Sequence, residues 1–480
     1  MKFAVRWSFL LLLSSSLAYA GTEPEVRWLK VLLQGQQIGH VEHSRRVVGD
    51  TVISTERFDA SLARAGTALT IRSEESHRES LRGVPQGFST LTEMGGLAQR
   101  AEGVIDKDGT VNVSFSQGTD VRTQNLTYPK GALMTEGARL LEEGRELKPG
   151  EQIKFRAFMP SQLEAIDVAV KFIGEEQIEI DGQSYSARHM EQTLVLSSGA
   201  MTLQSWTDAD GEPLRSELPM FGMKLEMVVT TAEDASHRDA PTDLFAATIV
   251  DAPRALPASE RAGDLTYELQ LTEPKVAAGF PRGEQDLQKV GEKWQLRVDM
   301  PPSRGPAPKT TLDANALQAS AWVQSDAAEI IAFAKTATSA AKDPRARMLK
   351  LQSAVSEHID NKNLRVGYAS ALEALRMREG DCTEHALLLA AAGRALGIPT
   401  RVAVGLAYID QFAGHKQAFV PHAWAQAWID DRWTSFDAAL GGFDSGHIAL
   451  AVGSGDPAMF YGSINLLGNL KIRTIDVAVP

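Results

Sequence analysis

From about residue 26 to 230, apolar and polar positions alternate in short runs separated by glycine-containing turns. Trp28 to Gln34 and Ile38 to Val47 flank Gly35-Gln36-Gln37, and Asp108-Gly109, Asp181-Gly182 and Asp210-Gly211 are further hairpin signals. Thr110-Val111-Asn112-Val113-Ser114-Phe115 shows the two-residue period most plainly. The pattern predicts a mainly antiparallel sheet, curved or partly closed, with one helical interruption from Ala132 to Glu146. Asp208-Ala209-Asp210-Gly211 has the opening of a calcium loop but lacks its distal glutamate, so an ordinary turn is expected.

The pattern then changes. Residues 231 to 262 keep no period and read as a connector, Leu265 to Leu271 and Trp294 to Val298 as strands of a small bridging module, and Pro301 to Pro308 as a semi-rigid linker. Beyond it, Ser325 to Thr338 has helical spacing, and Asp343-Pro344 supplies an N-cap and first-turn proline for a second helix. An apolar run, Ala386 to Leu396, follows Asp381-Cys382-Thr383-Glu384-His385 and closes on Gly397-Ile398-Pro399, so a third helix starts near Cys382. Ala423 to Ile429 alternate small and large residues, turn at Asp430-Asp431, and return through Arg432 to Asp437 as a hairpin. In the tail from Ser445, only Lys471 to Val479 reads as a strand. The chain is therefore expected to be α+β, with a β-rich domain at 21–250, a linker with a small β segment at 251–308, and a second domain at 309–480 whose core spans 343–445.

The chemistry concentrates in that core. Cys382, the single cysteine of the chain, heads its helix, where unpaired N–H groups and the helix dipole favour a thiolate. His422 stands at the start of the alternating strand, and a two-residue loop brings the end of the returning strand, Asp437, to the same end of the hairpin. A thiol, an imidazole and a carboxylate in that order make a nucleophile, a base and a group that orients the base. The Cys382 N–H is an oxyanion donor candidate. Asp381, Glu384 and His385 are expected to support the start of the helix. A lone cysteine by itself reads as an inert buried residue; the motifs around it reverse that reading.

Gly380-Asp381-Cys382-Thr383-Glu384-His385-Ala386, Arg394 to Arg401, His422-Ala423-Trp424 and Trp433 to Asp437 resemble, in order and spacing, the core of the bacterial transglutaminase-like superfamily. The resemblance implies a papain-like fold, with the cysteine helix packed on an antiparallel sheet that carries the histidine and the aspartate. It also implies acyl transfer from an amide through an acyl-enzyme, with hydrolysis favoured over cross-linking; amine transfer and a non-catalytic envelope scaffold are the alternatives. Family members often place a side-chain oxyanion donor upstream of the cysteine, and Met377-Arg378-Glu379 offers no equivalent. The N-terminal half is more distantly similar to the bent sheets of periplasmic lipoprotein-carrier and related envelope proteins.

Composition narrows the setting. Met1 to Arg6 is basic, Trp7 to Leu17 is apolar but shorter than the ~20 residues of a membrane span, and Ala18-Tyr19-Ala20 is a cleavage site. These mark a signal peptide cut after Ala20, hence a periplasmic or secreted protein without a membrane span. A net charge of −12 disfavours nucleic acid as a partner; the resemblance implies a protein, peptide or peptidoglycan-type amide as the substrate. Cys382, Glu384, His385, His415 and His422 lack the dense spacing of a metal centre, so neither a metal nor another cofactor is expected. His40, His43, His77, His189 and His237 are expected at the surface.

Overall fold

The computed structural model describes residues 24–478 except 65–66, 95–96, 118–119, 144, 162, 197–198, 221–222, 240–242, 244–247, 272–279, 301–310, 314, 363–367, 456–466 and 468–469. The expected signal peptide and proline-dense linker fall outside the described residues. The chain divides into two units, meeting in sequence near residue 243.

The N-terminal unit is built on one 15-stranded sheet. Sequence neighbours pair antiparallel along it except at the short strand Ala132–Leu133, which pairs parallel with Gln152–Met159 at one end, and the first strand, Glu25–Leu33, also pairs with the last, Met223–Thr230. The expected turns lie between these strands, and Asp181-Gly182 adopts positive φ at both positions, as a two-residue hairpin loop of the primed type requires. Asp208 Oδ1 accepts the N–H groups of Asp210 (3.1 Å) and Glu212 (2.8 Å), so the calcium-like segment caps its own turn. Val111 and Val113, near one end of the sheet, share a core with Ala132, Met134 and Phe158 near the other. The sheet is therefore strongly curved.

One expectation for this unit fails. His77 is buried, with Nε2 2.9 Å from Glu75 Oε1 and Nδ1 2.7 Å from the Thr135 hydroxyl. Alternation along its strand turns it inward beneath the helix Thr135–Glu143, and the two neighbours satisfy its ring.

The C-terminal unit holds two antiparallel sheets, a short parallel pair, Asn361–Lys362 with Glu379–Gly380, and a group of helices. One sheet contains Thr400–Phe412, His415–Ile429, Arg432–Phe436 and His447–Gly453. The other runs Gln285–Val290, Lys293–Val298, Leu265–Leu271, Leu470–Val477. Leu256, Tyr267, Leu296 and Ile475 share a core with Leu406, Phe419 and Ile448. From Asp243 on, the stretch read as connector and bridging module thus belongs to this unit, because its strands bury their apolar face by pairing with Leu470–Val477, while the helix Ala232–Ala235 belongs to the N-terminal unit.

The helices follow their sequence signals. Pro344–His358 is capped by Asp343, whose carboxylate accepts the Ala346 N–H at 2.8 Å. Cys382–Ala395 ends before Gly397, whose φ of +76° is the left-handed stop that glycine supplies. This helix is buried along its length and packs on the strand His415–Ile429. Gly393 allows the approach, since a Cβ there would lie 2.5 Å from Thr400 Oγ1.

Candidate active site

Cys382 is the first residue of its helix and is partly exposed. Asp381 caps it, accepting the Thr383 N–H at 2.8 Å, and Glu384 reaches back to the Asp381 N–H at 2.8 Å, a reciprocal capping box. The second Glu384 oxygen accepts the Ala369 N–H at 2.8 Å, tying the helix start to the loop before the preceding helix, Ala371–Met377. Gly380 makes room for the folded-back carboxylate, because a Cβ there would sit 2.5 Å from Glu384 Cβ. The cysteine is held by a locked first turn.

His385 is buried, with Nδ1 2.6 Å from the Asp381 carbonyl. Because a carbonyl only accepts, Nδ1 carries the proton. Burial lowers its pKa, against an opposing pull from the Asp381 carbonyl and a smaller one from Asp437. One turn beyond Cys382 and on the same side of the helix, it feels the Asp437 charge.

The hairpin forms in the expected register. Asp430 and Asp431 both take positive φ, and Ile429 pairs with Arg432 and Ala425 with Phe436. His422 and Asp437 consequently meet: Nε2 lies 2.7 Å from Oδ2, and both residues are buried. Asp437 Oδ1 accepts the N–H groups of Ala439 (2.7 Å) and Leu440 (3.1 Å). Burial would raise the Asp437 pKa, but His422 and His447 outweigh it and hold the carboxyl far below its usual range.

Sequence reasoning overlooked His447. Its Nε2 lies 3.0 Å from the same Asp437 Oδ2, and its Nδ1 faces the Asp444 carbonyl at 3.0 Å and Asp444 Oδ1 at 3.1 Å. Burial would lower its pKa, yet the hydrogen bonds to Asp437 and Asp444 raise it to about 9. Asp444 is in turn held by Arg261 Nε at 2.8 Å. The only sequence signal was Asp444-Ser445-Gly446-His447, a turn with an acid and a histidine three apart, just before an apolar run.

Around this centre, Trp424 Nε1 and Gln426 Nε2 each donate to Ser435 Oγ at 3.1 Å, and Trp424 is buried. The Ser435 N–H donates to both Glu284 oxygens at 3.0 Å, and desolvation pushes Glu284 up to about 7.

His422, Asp437 and His447 are also the one group among the described residues with metal-ligand spacing, their atoms lying within 4.8 Å of one another. Asp437 Oδ2 is at hydrogen-bond distance from both nitrogens, and a His447 that donates from both ring atoms has no lone pair for a metal.

The chain sets a cysteine at the N-terminus of a helix packed on a strand and follows it with a buried histidine–aspartate pair on a hairpin, and residues 331–438 match the transglutaminase-like superfamily model. The segment 331–438 is a transglutaminase-like domain. His447, Asp444 and the four-stranded sheet lie outside the match. Nothing among curated proteins matches the chain. Among solved structures it is similar to a candidate cysteine protease from Cytophaga hutchinsonii (17% identity, 48% of this chain and 83% of that one, TM-score 0.27). It is also similar to a beta-barrel-like protein of a domain of unknown function from Brucella abortus (11%, 43% and 96%, TM-score 0.34). A third is a candidate protease from Parabacteroides distasonis (12%, 73% and 68%, TM-score 0.20). At such TM-scores these likenesses carry no structural argument.

Proposed function

We propose that the transglutaminase-like domain is a cysteine-dependent amide hydrolase in which Cys382 is the nucleophile, His422 the general base and Asp437 the residue that orients it. The observation that carries this reading is the buried 2.7 Å contact between His422 Nε2 and Asp437 Oδ2, on the strand against which the cysteine helix packs. With Nε2 committed to Asp437, Nδ1 is the ring atom that exchanges protons with the sulfur and the leaving group.

The thiolate adds to the amide carbonyl and the N–H of Cys382, at the positive end of the helix, stabilises the oxyanion. The C–N bond breaks as the amine takes a proton from His422, leaving a thioester. Water, deprotonated by His422, attacks the thioester, and the acid and the thiol are released. An amine in place of water gives transfer. Export to the periplasm or beyond, which the N-terminal segment supports, makes water the abundant acceptor and envelope proteins, peptides or peptidoglycan-type amides the accessible donors. In this reading Asp381, Glu384 and His385 hold the first turn.

Incubating the mature protein and Cys382→Ala with a cell-envelope extract, then comparing products by mass spectrometry, tests the proposal. Cysteine-dependent gain of water supports hydrolysis, and cysteine-dependent joining of amines replaces it with transfer. Identical product lists for the two proteins would remove the enzyme reading in favour of a scaffold.

A further inference from the structure

Asp437 has two imidazole partners, while the mechanism above employs one. We propose that His447 is a positioning residue of this site: it holds Asp437 from a second side as an imidazolium and tunes the pH range over which the Cys382–His422 pair works. This rests on the functional reading above but is separable from it.

The geometry argues for the charge. His447 Nε2 faces a carboxylate oxygen at 3.0 Å, and Nδ1 faces a carbonyl oxygen at 3.0 Å and a second carboxylate oxygen at 3.1 Å. All three are acceptors, so a neutral ring would set a lone pair against one of them, whereas an imidazolium donates at both ends. The Asp444 N–H, at 3.4 Å from Nδ1, is the more distant contact. The raised pKa agrees, because the two carboxylates outweigh the burial of the ring. The rings of Trp424 and Phe443 flank it, with centroids 5.2 and 4.9 Å away. Beyond these, the charged and titratable groups near it among the described residues include Arg261, paired with Asp444, Glu284 before the strand Gln285–Val290, and His422 itself.

The consequence concerns His422. Its ring centroid is 5.6 Å from that of His447, and both Nε2 atoms share Asp437 Oδ2. A fixed positive charge at that distance opposes a second positive charge on His422 and favours a thiolate nearby. It therefore offsets part of the pull that a buried carboxylate exerts on the His422 ring. Removing the charge while keeping a donor should shift both limbs of the site's pH profile upward: the thiolate loses support and the His422 imidazolium gains it. For a charge 5.6 Å away in a partly polar interior the displacement is on the order of one pH unit.

The test uses the mature chain, its His447→Gln and Asp444→Asn variants, and iodoacetamide. Cys382 is the only thiol, so the alkylation rate from pH 4 to 10 reports this site alone. Both limbs are expected about one unit higher in His447→Gln than in the wild type, whereas in Asp444→Asn, which removes a negative charge while Asp437 still holds the imidazolium, the acid limb is expected to move down. A structural role would lower melting temperature without moving the limbs, and limbs that coincide in folded variants overturn the proposal. Nitrogen-15 shifts of the His447 ring in the wild type decide the charge without any variant: both nitrogens are expected protonated up to about pH 8, and a neutral ring at pH 7 refutes it. Stoichiometric transition metal that survives purification and is stripped by a chelator also refutes it. If wild-type alkylation instead rises with pH like an ordinary thiol and ignores His422→Ala, the functional reading fails, and the ring shifts still decide the state of His447.

Discussion

Replacing Asp437 by asparagine should give a stability loss that depends on pH in a direction the structure fixes. The carboxylate accepts from His422, His447, Ala439 and Leu440. In the asparagine variant the amide oxygen keeps the two backbone N–H groups, and Nδ2 then points hydrogens at the two imidazoles. Both rings relax by turning an Nε2 lone pair toward the amide, so His447 becomes neutral and His422 carries its proton on Nδ1. The first change removes the stabilisation linked to the raised His447 pKa. A shift from 6.5 to about 9 corresponds to about 3 kcal/mol at ~1.4 kcal/mol per unit. Because the folded pKa lies above the unfolded one, that contribution is fully present below pH 6.5 and disappears as the pH rises through about 9. The second change leaves Nδ1 unable to accept the thiol proton, a fault that costs about 10⁴ in turnover in hydrolases built on such triads. Urea unfolding followed by tryptophan fluorescence at pH 6 and pH 9.5 measures the first, and alkylation of Cys382 reports the second. A stability loss equal at the two pH values, or absent at pH 6, would refute the reasoning.

Further consequences can be checked in parallel. Glu384→Ala strands the N–H groups of Asp381 and Ala369 at the head of the cysteine helix, and a loss of about 2–4 kcal/mol in chemical denaturation is expected, with Glu384→Gln recovering part of it. Gly405→Ala would place a Cβ 2.0 Å from the Ile448 carbonyl oxygen, so the strands must separate; a fall in melting temperature and in soluble yield, with slower hydrogen exchange lost at His447 to Gly453, checks this. Arg394→Met leaves the carbonyls of Thr400 and Gln318 without their donors, each now at 2.7 Å, and should cost about 2–4 kcal/mol by the same measurement.

Legibility along the chain followed how local each signal was. The cysteine helix announced itself because its cap, its glutamate three residues on, its apolar run and its terminating glycine lie within one segment. The pairing of His422 with Asp437 was equally readable, since a two-residue loop fixes the register of a hairpin and the register fixes which ends meet. His447 was not readable. It begins an apolar run, His447-Ile448-Ala449-Leu450-Ala451-Val452-Gly453, that shows no two-residue alternation. The same blindness made 251–308 a linker with a small β segment, because its strands complete their sheet only with Leu470–Val477 at the far end of the chain. His77 was misplaced for a related reason: nothing near it in sequence shows that the helix Thr135–Glu143 covers it.

The order of amino acids by itself determined the curved antiparallel sheet, the helix that presents Cys382, and the hairpin that joins an imidazole to a carboxylate, because capping, alternation and turn geometry act over a few residues. Only the tertiary structure decided that a second imidazole shares that carboxylate and that the supposed connector is part of the fold around it. Strand pairing across long sequence separations obeys the burial of whole faces, and that information is spread over the entire unit.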